Sequence, residues 1–186
     1  MSTLCDSMLN QDIMANCEDV GGVGFRKRAW LFNSEDINSI AIQDNDVRSF
    51  TLKSGARGYI VEQLGRKPFE GTNSALVVGT YRNSFTHQVK FFIPDNKNVG
   101  SLVDQIATGK FIIFMNNGNG GIRVYGAHNG LTAVECTQTP YNEESDAGWV
   151  VTLEETKSQT SRLVYGKANT QNKNEENLNG LCGVVV

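Results

Sequence analysis

The run KFIIFMNNGNGGIRVYG, residues 110–126, constrains the fold more than any other part of the chain. FIIFM is continuously apolar, which predicts a strand buried on both faces. NNGNGG follows it, and then GIRVYGA, in which Ile122 and Val124 oppose Arg123 and Tyr125. A glycine-rich loop after a strand raises the question of phosphate binding. A P-loop needs a lysine after its last glycine and a helix leading away, and a dinucleotide loop needs that helix too. Here Ile122 follows the last glycine and the next segment is strand-like. Asn–Gly pairs between two β-runs instead predict a hairpin, because both residues tolerate positive φ.

Upstream lies NVGSLVDQIATG, residues 98–109. Val99, Leu102, Val103 and Ile106 form one apolar helical stripe. Asn98 is the expected N-cap and Gly109 the expected left-handed residue after the helix. So short a helix needs a sheet to pack on. Strands are predicted at 25–31, 36–42, 47–53, 59–61, 75–81, 86–93, 149–156 and 162–167, where apolar residues alternate or run between Gly and Pro breaks. Val89, Phe91 and Ile93 share one face, as do Trp149, Val151 and Leu153. Leu4, Met8, Leu9 and Ile13 suggest a weak helix. The expected fold is mainly β, an antiparallel sandwich or barrel with one flanking helix. Residues 1–20 form an N-terminal arm, 21–167 the β domain, and 168–186 a polar, mobile extension with an apolar end.

The chain has 186 residues, enough to bury a core without staples. Its net charge of -3 argues against a dedicated nucleic-acid binder, which carries a basic excess. Nothing reads as a signal peptide or a membrane span, so no membrane association is expected. Cys5, Cys17, Cys136 and Cys182 lack zinc-finger spacing and are expected as reduced thiols. His87 in a strand and His128 in AHNG read as surface residues. Asp44-Asn45-Asp46 opens like a calcium loop but lacks the later glycine and glutamate, so it reads as a solvated turn. No metal, cofactor or catalytic residue is expected. Arg26, Lys27 and Arg28 beside Trp30 form the one dense basic run, read as a charged sheet edge or subunit contact, with base stacking as the other choice.

The order of segments carries a resemblance. A cysteine and CEDVGGVG come first, then RAWLFNSEDINSI, a Gly-flanked hairpin, NVGSLVDQIATGKFIIFM, GGIRVYGAHNGLTAVE and GWVVTLEE. Over about residues 15–166 this resembles the tail-tube-like structural proteins of tailed phages that infect gut Bacteroidales, including the crAss-like group. The resemblance implies a β-sandwich subunit of a six- or twelve-fold homo-oligomeric ring. Such a ring belongs to the virion tail, is made in the host bacterial cytoplasm, and contacts neighbouring portal and tail rings. DNA is then a partner only in transit through the lumen, which the mild acidic balance suits. The inter-subunit contacts expected are Arg26, Arg28 and Trp30, the projecting tip from Asn116 to Gly121 with Asn117 and Asn119, and the end of the tail. There Leu181, Val184, Val185 and Val186 are expected to add a strand to a neighbour.

Another class of function competes with this one. A glycan-binding β-sandwich could use Trp30, Tyr125, Tyr141 and Trp149 as a stacking platform, although Trp149 falls in phase with core residues. An enzyme built on His87 or Cys17 is the more distant reading.

Overall fold

The computed structural model describes residues 24–63, 65–118, 121–139, 147–166 and 171–183. The predicted helix at 4–15, Cys5, Cys17, Asn119, Tyr141, Val184, Val185 and Val186 lie outside them. In chain order the elements are β1 (Phe25–Asn33), a 3₁₀ turn (Ser34–Asp36), β2 (Ile37–Gln43), β3 (Asp46–Leu52), β4 (Tyr59–Glu62), β5 (Asn73–Val77) and β6 (Ser84–Pro94). Then follow α1 (Val99–Thr108), β7 (Lys110–Asn117), β8 (Gly121–Tyr125), β9 (Leu131–Gln138), β10 (Gly148–Ser158), β11 (Leu163–Tyr165) and α2 (Gln171–Leu181). The fold is mainly β, as the alternation patterns require.

The finer expectation, an antiparallel sandwich or barrel, is not confirmed. All eleven strands belong to one sheet, in the order β2-β3-β11-β8-β7-β9-β10-β6-β5, with β1 on the other edge of β7 and β4 beyond β1. The sheet is mixed, because β11 runs parallel to β3. It does not close: among the described residues β2, β4 and β5 each pair on one side only. Among the described residues two helices are present, where one flanking helix was expected.

The sheet rolls two ways about a shared wall made by β1 and β7. FIIFM is buried on both faces, as its continuous apolar run predicts. Phe111, Ile113 and Met115 enter one core with Ala29, Leu31, Val89, Phe91, Val151 and Leu153. Ile112 and Phe114 enter a second core with Trp30, Phe32, Val47, Phe50, Ile122 and Tyr165. In the second core the Phe32 and Phe50 rings lie 4.9 Å apart, although β1 and β3 are several strands distant in the sheet. Rolling of the first core is marked by Gln63, just past β4. Its side-chain amide donates to the Phe92 carbonyl and accepts from the Phe92 N–H, both at 2.9 Å. One side chain there does the work of a missing strand pair between β4 and β6.

Each rolled lobe is covered by one helix. Val99, Val103 and Ile106 of α1 enter the first core, but Leu102, expected in that stripe, is 42% exposed. The capping expectations differ too. Asn98 makes no side-chain cap. Gly109 is extended, with φ −83°, so it is not the left-handed residue expected. A Cβ there would collide with the Phe111 ring, and that close approach is what requires glycine. The polar tail expected to be mobile holds α2, which drops Leu178 and Cys182 into the second core.

Candidate functional site

The predicted contact residues scatter. Arg26 and Arg28 are exposed, and Arg28 pairs with Glu62 of the adjacent β4, 2.6 Å apart. Trp30 is 1% exposed, which removes it as a contact or stacking residue. Its indole N–H donates to Asn179 Oδ1 of α2 at 2.8 Å. The hairpin itself is as predicted: β7 and β8 pair antiparallel out to Asn117 opposite Gly121, which has φ +80°. Asn116, however, is not part of a projecting tip. It is 3% exposed within β7 and donates its amide N–H to Glu175 Oε1 of α2. Asn117 is a half-buried strand residue. Leu181 ends α2 and packs against the second core, its carbonyl accepting the Gly58 N–H at 2.9 Å. Leu181, the first residue of the proposed strand-adding segment, is therefore helical and already docked, and the three valines at its end lie outside the described residues. The aromatic platform fails likewise, since Trp30 is buried and Trp149 packs against the opposite core.

A polar cluster that sequence reasoning missed sits where the sheet forks. One edge of β7 serves two strands, pairing with β9 through Lys110 and Phe111 and with β8 from Ile113 onward. The loop Gly126–Gly130 bridges β8 to β9 at this fork. Gly126 has φ +87°, and a Cβ on it would crowd the Phe111 carbonyl. Beneath the loop lies Glu155 of β10, 1% exposed. Its Oε2 accepts the Gly126 N–H at 3.0 Å, and its Oε1 accepts the N–H groups of His128 at 3.0 Å and Asn129 at 2.8 Å. Asn129 returns its side-chain amide to the Thr156 and Lys157 carbonyls. A buried carboxylate so bonded is satisfied, and it locks the branch.

Both histidines of the chain reach this place. His87 stands opposite Glu155 in the β6–β10 register and is 4% exposed, contrary to the expected surface position. Its Nε2 lies 2.9 Å from the Thr160 carbonyl, which can only accept, so Nε2 carries the proton. Nδ1 is then free to accept from the Ser74 hydroxyl at 2.7 Å. Loss of hydration on burial pushes the His87 pKa down, a shift that the Thr160 carbonyl and the Glu155 charge oppose. His128 meets the same residue through Nε2 and Thr160 Oγ1 at 3.1 Å. Phase was the signal that could have found the cluster. His87 continues the inward face of Val89, Phe91 and Ile93, and Glu155 continues that of Val151 and Leu153.

The other chemistry weighed from sequence resolves into structure. Asp44 and Asn45, with φ +51° and +65°, are the central residues of the β2–β3 hairpin turn. Among the described residues no cluster of His, Cys, Asp and Glu could hold a metal ion. Cys136 and Cys182 are free thiols. Burial pushes the Cys182 pKa up to about 11, which keeps it protonated and a poor nucleophile. No described helix is long and apolar enough to cross a membrane.

Two surface features remain. The first is the hairpin joining β5 to β6. Every residue of β5 is exposed. Leu76 and Val77 lead to a tip where Val78 is 77% and Tyr81 100% exposed. The second is an open pocket of about 410 Å³ between β4, the end of β6 and α1. Tyr59, Val61, Phe91, Ile93, Leu102 and Ile106 make it predominantly apolar. It lies along the seam that Gln63 bridges. Compared with known proteins, the chain matches no family model, no curated protein and no solved structure.

Proposed function

We propose that the chain is a virion structural protein, one subunit of a homo-oligomeric ring in a phage tail tube or in the connector between portal and tail. The observation that carries this reading is the pair of bare ends of the sheet. β2 (INSIAIQ) and β5 (NSALV) terminate it, contain no charged residue and no proline, and have no described strand on their outer sides. Proteins that stay monomeric blunt such edges with charge, proline or a covering segment. Two such edges, uncovered by any strand among the described residues, suit head-to-tail association, which closes into a ring when the rotation allows. The order of sequence segments resembling tail-tube-like proteins supports the same reading. The lumen would pass DNA without gripping it, in keeping with a net charge of -3.

The test is mass measurement of the purified chain at micromolar concentration, with negative-stain images and proteomics of purified particles. Six- or twelve-fold rings, and copies of the chain in the particle, are expected. Monomers alone in solution together with no copies in particles would sink the reading.

A further inference from the structure

We infer that the tip of the β5–β6 hairpin of one copy seats in the apolar pocket between β4, β6 and α1 of a second copy. The inference rests on the self-assembly reading above and adds, besides the sheet edges, a contact without which copies do not associate.

The chain carries a knob and a hole of matching chemistry. Val78 and Tyr81 project from the hairpin tip with almost no contact to the rest of the molecule. A wholly exposed tyrosine among valines and a leucine is costly in water and is the kind of group that anchors interfaces. The pocket offers apolar walls, and its 410 Å³ falls within the range of roughly 300–1,000 Å³ that takes drug-sized groups. Two of its lining residues, Tyr59 and Leu102, are themselves exposed, although the Arg57 guanidinium lies over the Tyr59 ring.

Charge matches as well. Arg82 is the single charged residue from 73 to 83, and it directly follows Tyr81. Glu62 is the single charged residue lining the pocket. Both hydrogen bonds from Arg28 reach Glu62 Oε1, which leaves Oε2 able to accept a second guanidinium.

The knob cannot fill its own hole. Hairpin and pocket lie on one strand, because Ser84–Gln88 of β6 pair with β5 while Phe91–Pro94 line the pocket. From Ser84, where the tip ends, to Phe91–Pro94 the strand covers roughly 23–33 Å at about 3.3 Å per residue. Pairing with β10 along β6 keeps that strand extended. The occupant is therefore another molecule, and the contact is heterologous, with a knob and a hole left over at the two ends of any open chain of copies.

Mixing two single-sided variants tests this. Val78→Ser with Tyr81→Ser removes the knob, and Leu102→Glu spoils the hole. All three positions are exposed, so the fold should survive, as circular dichroism would check. Each variant alone is expected to stay monomeric by native mass spectrometry, with the knob variant's dissociation constant raised at least about 30-fold. An equimolar mixture is expected to give a one-to-one dimer and nothing larger. Should either variant misfold, Arg82→Glu is expected to weaken association and Glu62→Arg in the same chain to restore it.

Wild-type chain that remains monomeric at millimolar concentration overturns the contact. So does undiminished assembly of either variant, or a mixture that stays monomeric. Failure of the ring is separable from failure of the contact. Dimers or open filaments abolished by the knob substitutions sink the ring and leave the contact standing. Rings that survive those substitutions do the reverse.

Discussion

The two lobes share a wall but hold their helices by different means. In the first, α1 sits on the sheet through Val99, Val103 and Ile106. The side-chain hydrogen bonds of α1 stay within the helix, from Gln105 to Ser101 and from Thr108 to its own preceding turn. In the second, α2 is mostly polar and buries only Leu178 completely. It is fastened by specific hydrogen bonds: Asn179 to the Trp30 indole, the Asn174 amide to the Tyr165 carbonyl at 3.1 Å, and the Leu181 carbonyl to Gly58. Apolar packing is tolerant of small shifts, while a hydrogen bond in a dry setting is all or nothing. One helix is therefore held by area and the other by a few points.

Substitutions can break or sharpen that contrast. The largest loss should come where the lobes meet. Glu155→Ala strips the acceptor from three loop N–H groups, at about 1–3 kcal/mol for each that stays dry. Urea titration should show the highest cost of any single change, and amide exchange should rise in both lobes at once. Exchange confined to the Gly126–Gly130 loop would show that the fork does not couple them.

Next come the helix anchors. Ile106→Ala and Leu178→Ala should each cost about 2–5 kcal/mol. They should differ in kind: the first should leave α1 docked and looser, the second should release α2. Exchange protection of the two helices separates these outcomes. Smaller again is Asn179→Ala, about 1–3 kcal/mol, because the Trp30 N–H is left buried without an acceptor. Trp30→Phe removes that donor, so the double variant should fall short of the sum of the singles. Additive losses would mean that the bond contributes nothing. For contrast, Gln105→Ala on α1 should stay within about 0.5 kcal/mol.

The smallest effect is set by pH and belongs to the first lobe. The pKa of His87 is lowered in the folded chain. Below the ordinary value of about 6.5, the unfolded chain takes up a proton that the folded chain refuses. Stability is thus whole above about pH 6.5 and declines as the pH falls toward the lower folded value. The urea midpoint should drop between pH 7 and 5, with exchange rising first around β6 and β10 and last in α2. A midpoint unchanged in that window would contradict the burial of His87.

What could be read from sequence follows the same divide. The β7–β8 hairpin, α1 and most strands are written in local patterns of apolar residues. The helix α2 is not, because its inward stripe of Asn174, Leu178, Leu181 and Cys182 begins with an asparagine whose partner lies at Tyr165. The strand β9, LTAVECTQ, shows no clear alternation, in keeping with only Leu131 in it being buried. Glu155 is a carboxylate at a core position, and its meaning depends on a loop more than twenty residues earlier. Asn98 and Gly109 do bound α1, but without a side-chain cap at the first and without a left-handed conformation at the second. Trp30 looked like a surface aromatic because the residues before it are basic, yet β1 turns from charged to fully buried within two positions.

The shared wall also sets the order of events when the chain folds. β1 and β7 pair through registers such as Asn33 with Phe111 and Ala29 with Met115, so a long loop must close before either core has its floor. Closure of that kind is entropically slow, and the contacts that reward it come late. Neither lobe can serve as a small, fast nucleus for the other. Folding should accordingly be a single slow phase, rate-limited by the meeting of β1 and β7. Substitutions at Ile112 and Ile113, adjacent in sequence but facing opposite cores, should slow it alike.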